Sequence, residues 1–511
     1  MLITNDIFIL EEELSNDINK PVILFGLKNK SIKNIEIPDG VSYIYPGAFK
    51  GCSNIERVAI PETVERIGDH AFQGCSSLAR IDIPNSVTDI GEGAFEGCVS
   101  LKFIGLPICL KTIWNFTFKG CSALEDIKIS EGVSFIGKGA FWYCTALKSI
   151  DIPREVSIIE KEAFSGCKVL KKVNINSPSK LREIGQESFK WCSSLEHIYL
   201  PPGLTKIDLG AFWGCSSLNN INLPSGLEYI GDHAFTYCKS LKCIDIPDSI
   251  TKITGSVFSG CSSLKYIDVP NSVTEISDGA FSGCTAVSSI DIPNSVTKIG
   301  SGAFSDCSAL ESVNVPNKIS NVALELFSGC KSLRSIKLPD SVKEIGSRAF
   351  MGCTSLGCIA IPLGVKYIYP STFENCVSLT RVFIPDSVTE IQGDAFANCS
   401  SLENIRIPKS VMAIGKGAFG ECTSLKNIDV PSSVRKIASY AFSSKLPMEN
   451  IFFHHEDIVN IKIETYMLSP EGYENCTLHV PVGTRWAYRH HPVFRQFKNI
   501  VTEQYDNENG D

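Results

Sequence analysis

Twenty-one cysteines and eight histidines are the residues of this chain whose types could do redox, nucleophilic or metal chemistry. Seventeen of the cysteines recur at one position, from Cys52, Cys75 and Cys98 to Cys422, at intervals of 23 residues apart from a two-residue insertion before Cys192. Each follows a phenylalanine by three residues. Stacked equivalents would lie within disulfide reach, but parallel Cβ vectors cannot make the crossed disulfide geometry, so these are expected to be buried thiols. Cys243 and Cys358 fall at positions where other repeats carry outward polar residues, and exposed free thiols suit a reducing compartment better than an oxidising one. Five histidines, His454, His455, His479, His490 and His491, crowd near the C-terminus. Zinc needs three or four converging ligands, and no Cys-x-x-Cys or His-x-x-x-His spacing supplies them, so neither metal nor cofactor is expected. There is no phosphate loop, no Gly-x-Ser-x-Gly and no Cys/His nucleophile pair, which leaves an enzyme with no residue to act through.

The elements that position these residues are written eighteen times, from Phe49 and Phe72 to Phe442. One unit, residues 278–300, carries the apolar skeleton of all of them. Ile290 and Ile292, spaced by two, read as one short strand with Ser289 and Asp291 facing outward. Pro293 lacks the ladder N–H and ends it, and Pro-Asn-Ser is turn chemistry that bends the chain before a second apolar pair, Val296 and Ile299. Gly-Ser-Gly-Ala-Phe then reads as a tight helical turn. A unit this small cannot cover both its apolar faces, so it must stack on its neighbours. The predicted fold is a solenoid of mainly short strands and tight helical turns, with about eighteen full repeats between two caps.

Two surface columns follow from that periodicity. Asp245, Asp268 and Asp291, followed by Asn314, occupy one outward strand position in consecutive coils, and Asp82, Asp151 and Asn222 share it. Stacked carboxylates repel, so the column is expected to be a solvated face or a partner-binding one, and coil spacing alone does not supply the oxygen cage calcium needs. The second column is aromatic. The residue before the cysteine is Gly in ten of seventeen coils and Asn or Asp in three, which points to a left-handed backbone. Tyr143, Trp191 and Tyr237 break that rule, Trp142 and Trp213 lie one residue earlier, and Trp114 replaces the glycine after the second Ile. These six residues are candidate partner-binding positions on the turn side. The competing expectation is that the rings only cover local apolar surface.

The run Ile-x-Ile-Pro-x-Ser-Val-Thr-x-Ile-Gly-x-x-Ala-Phe-x-Gly-Cys-x-Ser-Leu, as it stands around residues 290–310 and elsewhere, resembles the BspA-type leucine-rich-repeat family over about residues 32–453. The ordinary leucine-rich pattern fits only in part: Leu147-x-x-Ile150-x-Ile152 agrees, but Glu155 stands where Asn or Cys belongs. The stretch Leu478–Tyr488, ending at Phe494 to Ile500, is similar to the closing segment of bacterial members and reads as a strand, a turn and a short aromatic helix. The resemblance implies a leucine-rich-repeat solenoid, a bacterial source, and, for exported relatives, host-matrix or cell-surface partners.

The 104 charged residues leave a net charge of −8, and neither sign forms a block, so nucleic acid is not an expected partner. Residues Met1–Leu10 lack a basic start and run into Glu11-Glu12-Glu13, which does not make a signal peptide, and no 18-residue apolar run occurs. The sequence alone therefore places the chain in the cytoplasm, whereas the resemblance implies the cell surface or secretion. The expected organisation is an N-terminal cap over 1–31 with a strand from Leu2 to Leu10, a solenoid over 32–453, a C-terminal cap over 454–501 and a disordered tail over 502–511. The expected function is non-enzymatic protein–protein or adhesion-type recognition. An intracellular scaffold and a carbohydrate-binding surface protein are the alternatives.

Overall fold

The computed structural model describes residues 2–4, 7–12, 22–444, 448–464 and 466–504. Two compact units divide the chain, Met1–Ile250 with Val257–Leu264, and Thr251–Ser256 with Lys265–Asp511. Both are β-solenoids built from one coil.

In the coil of residues 278–300, Ser289–Asp291 is a strand whose outer residues are exposed and whose Ile290 is buried. It pairs in parallel with the next coil at a register of 23 residues, Ser289 opposite Ser312 and Asp291 opposite Asn314. Pro293 closes the turn by accepting the Val296 N–H at 3.0 Å. A second strand follows that the sequence reading did not separate: Lys298–Ile299 pairs in parallel with Glu275–Ile276. Two residues are too few for an alternation to show in a sequence. Most coils thus contribute one rung to each of two parallel ladders, the first of which is interrupted at coils such as those of Ile127 and Ile405.

The turn between the ladders is hydrogen-bonded but not α-helical. Gly279 and Gly283 have φ of 60° and 72°, which breaks the helical repeat. Ser282 and Cys284 donate three residues back within the coil, while Gly279, Phe281 and Gly283 donate to Ser301, Ala303 and Ser305 of the next. Hydrogen bonds therefore link successive coils on the turn side as well, which satisfies backbone groups that a small apolar coil could not leave bare.

Two side-chain columns fill the centre. The phenylalanine rings stack from Phe49 to Phe258 in the first unit and from Phe281 to Phe442 in the second, for example Phe212 on Phe235 at 5.4 Å and Phe281 on Phe304 at 5.7 Å. All seventeen column cysteines are buried free thiols. The Cys75 Sγ–H points at the Phe49 carbonyl at 3.2 Å, and the same bond recurs at Cys215 to Phe189 and Cys307 to Phe281. Burial pushes the thiols up, to about 12 at Cys121 and Cys307, so the reactive thiolate is suppressed throughout the column. Cys243 and Cys358 are exposed, as their outward positions require, and Cys109 is half-buried. Native protein treated with a maleimide at about pH 8 is expected to be modified at Cys243 and Cys358, more slowly at Cys109, and not in the column. Peptide mass spectrometry reads this directly, and column labelling at the rate of Cys358 would mean that the coils open.

At the N-terminus the expected single strand is two. β1 (Leu2–Thr4) pairs antiparallel with β2 (Phe8–Glu12), which pairs antiparallel with β3 (Val22–Leu27). β3 then joins the second ladder in parallel with Val41–Ile44, so an antiparallel hairpin covers the first coil. At the other end Asn450–Phe453, Thr477–Pro481 and Asn499–Glu503 extend the first ladder in parallel. Thr502 and Glu503, expected in the tail, belong to that last strand, and residues 505–511 lie outside the described residues. Two short helices, α1 (Pro470–Asn475) and α2 (Arg485–His490), pack there, with Tyr488 and Phe494 buried against Phe453.

This cap holds two neutral histidines. His455 is buried, bonded to the Val434 carbonyl at 2.8 Å through Nε2, while its Nδ1 has no partner. His491 Nδ1 accepts the Val493 N–H at 3.2 Å, a bond that needs an unprotonated ring nitrogen. Burial lowers both pKa values below the ordinary 6.5. The unfolded chain therefore takes up protons first, so stability is intact above about 6.5 and falls as pH drops below it, by at most about 1.4 kcal/mol per pH unit per histidine. Melting of the cap is expected to shift downward between about pH 7 and 5, with a smaller shift in His455→Gln. Equal shifts in the two proteins would remove His455 from the account.

Candidate binding surface

The column before the cysteine holds the anomaly. Tyr143, Trp191 and Tyr237 adopt φ of 60°, 60° and 59°, the left-handed conformation that Gly166, Gly214 and Gly260 adopt in the coils between and beyond them. From Tyr143 to Gly260 aromatic and glycine thus alternate coil by coil, after four successive glycines at Gly51, Gly74, Gly97 and Gly120. Each ring lies on the next coil's glycine: a Cβ at Gly166, Gly214 or Gly260 would collide with the rings of Tyr143, Trp191 and Tyr237 in turn. The rings keep one face open, at 50%, 46% and 45% exposure.

Local packing does not by itself account for these residues. Covering about 100 Å² of ring contributes at most about 2.5 kcal/mol at about 25 cal/mol/Å². The left-handed conformation costs a non-glycine residue about 1–2 kcal/mol. Against the glycine usual at this position the two effects nearly cancel, so what distinguishes the aromatic is the open face. The rings do cover the next coil's glycine, and each remains about half exposed.

Trp142 and Trp213, one residue earlier, are half-buried supports. Lys119 Nζ stands 5.0 Å over Trp142, and Lys190 Nζ stands 4.5 Å over Trp213 while pairing with Glu187 at 3.0 Å. Trp213 also stacks on His233 at 5.2 Å and lies 6.4 Å from Trp191. Trp142 stacks on Tyr143 at 5.4 Å. Trp114 is not brought to this face. Its position after the second ladder sets it 6.2 Å from Phe135 of that ladder, with its indole N–H on Asp89 at 2.9 Å.

Between Trp191 and Tyr237 the surface opens into a shallow slot of about 300 Å³. Ser193, Gly214, Ser216 and Lys239 line it with the two rings. Sequence reasoning missed these residues; the signal that could have found them is an aromatic two coils after an aromatic with glycine between.

The acidic column behaves differently. Asp245, Asp268 and Asp291 are all exposed, and in the second unit Asp268 lies in register opposite Asp291. Asn314 donates to Asp291 at 3.1 Å, and in the first unit Asn174 donates to Asp151 at 2.6 Å. Asp291 and Asp151 are thus each met by an amide from the next coil, while Asp268 faces Asp291. Among the described residues no three His, Cys, Asp or Glu side chains are placed to hold a metal ion. His479 is engaged by Glu503 at 2.6 Å and Asn450 at 2.9 Å.

Two parallel ladders and a stacked phenylalanine column define a repeat solenoid of short β-strands. The BspA type leucine rich repeat region matches residues 25–148, 134–265, 228–357, 275–403 and 343–471, and the chain belongs to that family. Among solved structures it is similar to a leucine-rich repeat protein from Bacteroides ovatus, 28% identical with a TM-score of 0.50, covering 91% of this chain and all of the other. It is also similar to a leucine rich cell surface protein from Faecalibacterium prausnitzii, 26% identical with a TM-score of 0.40, covering 75% of this chain and 94% of the other. A Treponema pallidum leucine rich repeat protein is 28% identical with a TM-score of 0.35, over 46% of this chain and 99% of the other. No curated protein matches. Among the described residues no helix is long and apolar enough to cross a membrane.

Proposed function

We propose that this chain is a non-enzymatic recognition protein of the adhesion type, which binds protein partners through the turn face of its first unit. The observation that carries this reading is the alternation of Tyr143, Trp191 and Tyr237 with glycine, each ring held left-handed with one face open. Aromatic anchors of this kind dominate protein interfaces, each typically carrying about 2 kcal/mol, or about 30-fold in affinity. Trp142 and Trp213 hold the anchors in place, and the exposed acidic column Asp245, Asp268 and Asp291 offers a further contact face on the strand side.

Selection of a random peptide library on the full chain tests this, with the triple variant Tyr143→Gly/Trp191→Gly/Tyr237→Gly as competitor. Glycine is the usual residue at these positions, so the variant is expected to fold. Ligands selected on the parent are expected to bind the variant at least about 100-fold more weakly. Equal binding to both would end the proposal. Exposed Cys243 and Cys358 favour, as a second reading, an intracellular scaffold. A membrane-impermeant thiol reagent that labels them only after cell lysis would support it, and labelling on intact cells would place the protein outside.

A further inference from the structure

We infer, on the protein-recognition reading above, that the aromatic column of the first unit takes a proline-rich, acidic segment in the polyproline II conformation. Tyr143, Trp191 and Tyr237 stand on alternate coils. With neighbouring coils about 4.8 Å apart, equivalent rings repeat every ~9.6 Å. A polyproline II helix advances about 9.3 Å per three-residue turn, so every third residue of such a segment returns to the same place between rings. An extended strand brings equivalent side chains back every ~6.7 Å and falls out of step within one slot. An α-helix repeats every ~5.4 Å along its axis and is likewise out of step with a ~9.6 Å spacing.

The slot has the form that polyproline II segments use, aromatic walls that grip a proline ring and polar groups at the edge. Trp191 and Tyr237 supply the aromatic lining and Ser193, Ser216 and Lys239 the polar groups, around a volume of about 300 Å³ that admits a proline ring. A segment with no internal hydrogen bonds and a preset backbone loses little entropy on docking along the row of rings.

Charge sets the composition. Lys168 and Lys239 occupy the position after the cysteine in two of these coils, both exposed, and neither forms an ion pair among the described residues. Lys190, by contrast, is already neutralised by Glu187 at 3.0 Å. Two free cations beside the aromatic row call for carboxylates spaced among the prolines.

The test titrates the full chain into a fluorescent peptide of four Pro-Pro-Glu repeats and follows anisotropy. A peptide of four Gly-Gly-Glu repeats carries the same charge without the conformation, and a linear β-linked glucose oligosaccharide is the sugar probe. Pro-Pro-Glu is expected to bind at least about tenfold more tightly than Gly-Gly-Glu, and Trp191→Gly or Tyr237→Gly to lose about tenfold or more. Lys239→Glu is expected to weaken binding several-fold, an effect that shrinks as salt rises. Equal binding of the two peptides, or unchanged binding by Trp191→Gly, would overturn the inference. So would oligosaccharide binding with the same variant dependence, which would assign the row to sugar rings. Should Pro-Pro-Glu fail while the library yields ligands without proline that the triple glycine variant loses, the inference falls and protein recognition stands. If the library also yields none, both fall.

Discussion

Phe281→Ala is expected to destabilise the second unit by about 3–5 kcal/mol, measured by urea unfolding of the full chain. Phe281 is fully buried, and its ring stacks on Phe304 at 5.7 Å with planes 4° apart. The backbone around it is anchored independently of the ring, by the Phe281 N–H on the Ala303 carbonyl and by the Cys307 thiol on its own carbonyl. Truncation therefore leaves a ring-sized void in a framework that cannot close around it. Because each coil touches only its neighbours, the damage should be local, and amide protection should fall first in the flanking coils. A loss of only a few tenths of a kcal/mol would mean that the column is not close-packed.

Gly214→Ala is the second large effect, and it reaches the candidate binding surface. Gly214 has φ of 75°, and its added Cβ would collide with the Trp191 ring. The left-handed conformation costs about 1–2 kcal/mol, and lifting the ring off its seat forfeits up to about 2.5 kcal/mol of covered area. The same substitution in Trp191→Gly meets no ring, so only the conformational cost should remain. A double-mutant cycle by thermal unfolding measures the difference. Additive effects would show that Trp191 does not rest on Gly214 in solution.

The sequence makes the coil legible because selection for stacking writes the same side chain at the same position many times over. Phe281, Cys284, Ile292 and Val296 are each fully buried, as their periodicity requires. Ser289 and Asp291 face out for the same reason. What stays hidden is whatever repeats too briefly or not at all. Lys298–Ile299 is too short to show an alternation, although its parallel pairing makes a whole second ladder. The β1–β3 hairpin and helix α1 lie where the period has lapsed, so no neighbouring coil corroborates them. At the binding surface, the aromatic positions could be named because they break the glycine rule. The tilt of Trp191 onto Gly214, and the half-buried state of Trp213 beneath Lys190, depend on side-chain directions that no spacing encodes.

The thiol column also bears on what happens after the fold is lost. While the coils are stacked, the column thiols are buried, most with Sγ–H aimed at a carbonyl, and their protons are held, so oxidants meet little thiolate. Once the chain opens, seventeen cysteines spaced alike along a flexible polymer become equivalent partners for one another, and a vast number of wrong cross-links become accessible for every return to the all-thiol state. In an oxidising medium, unfolding is then a one-way passage. The lifetime of the molecule is set by how slowly its coils part, a rate rather than an equilibrium.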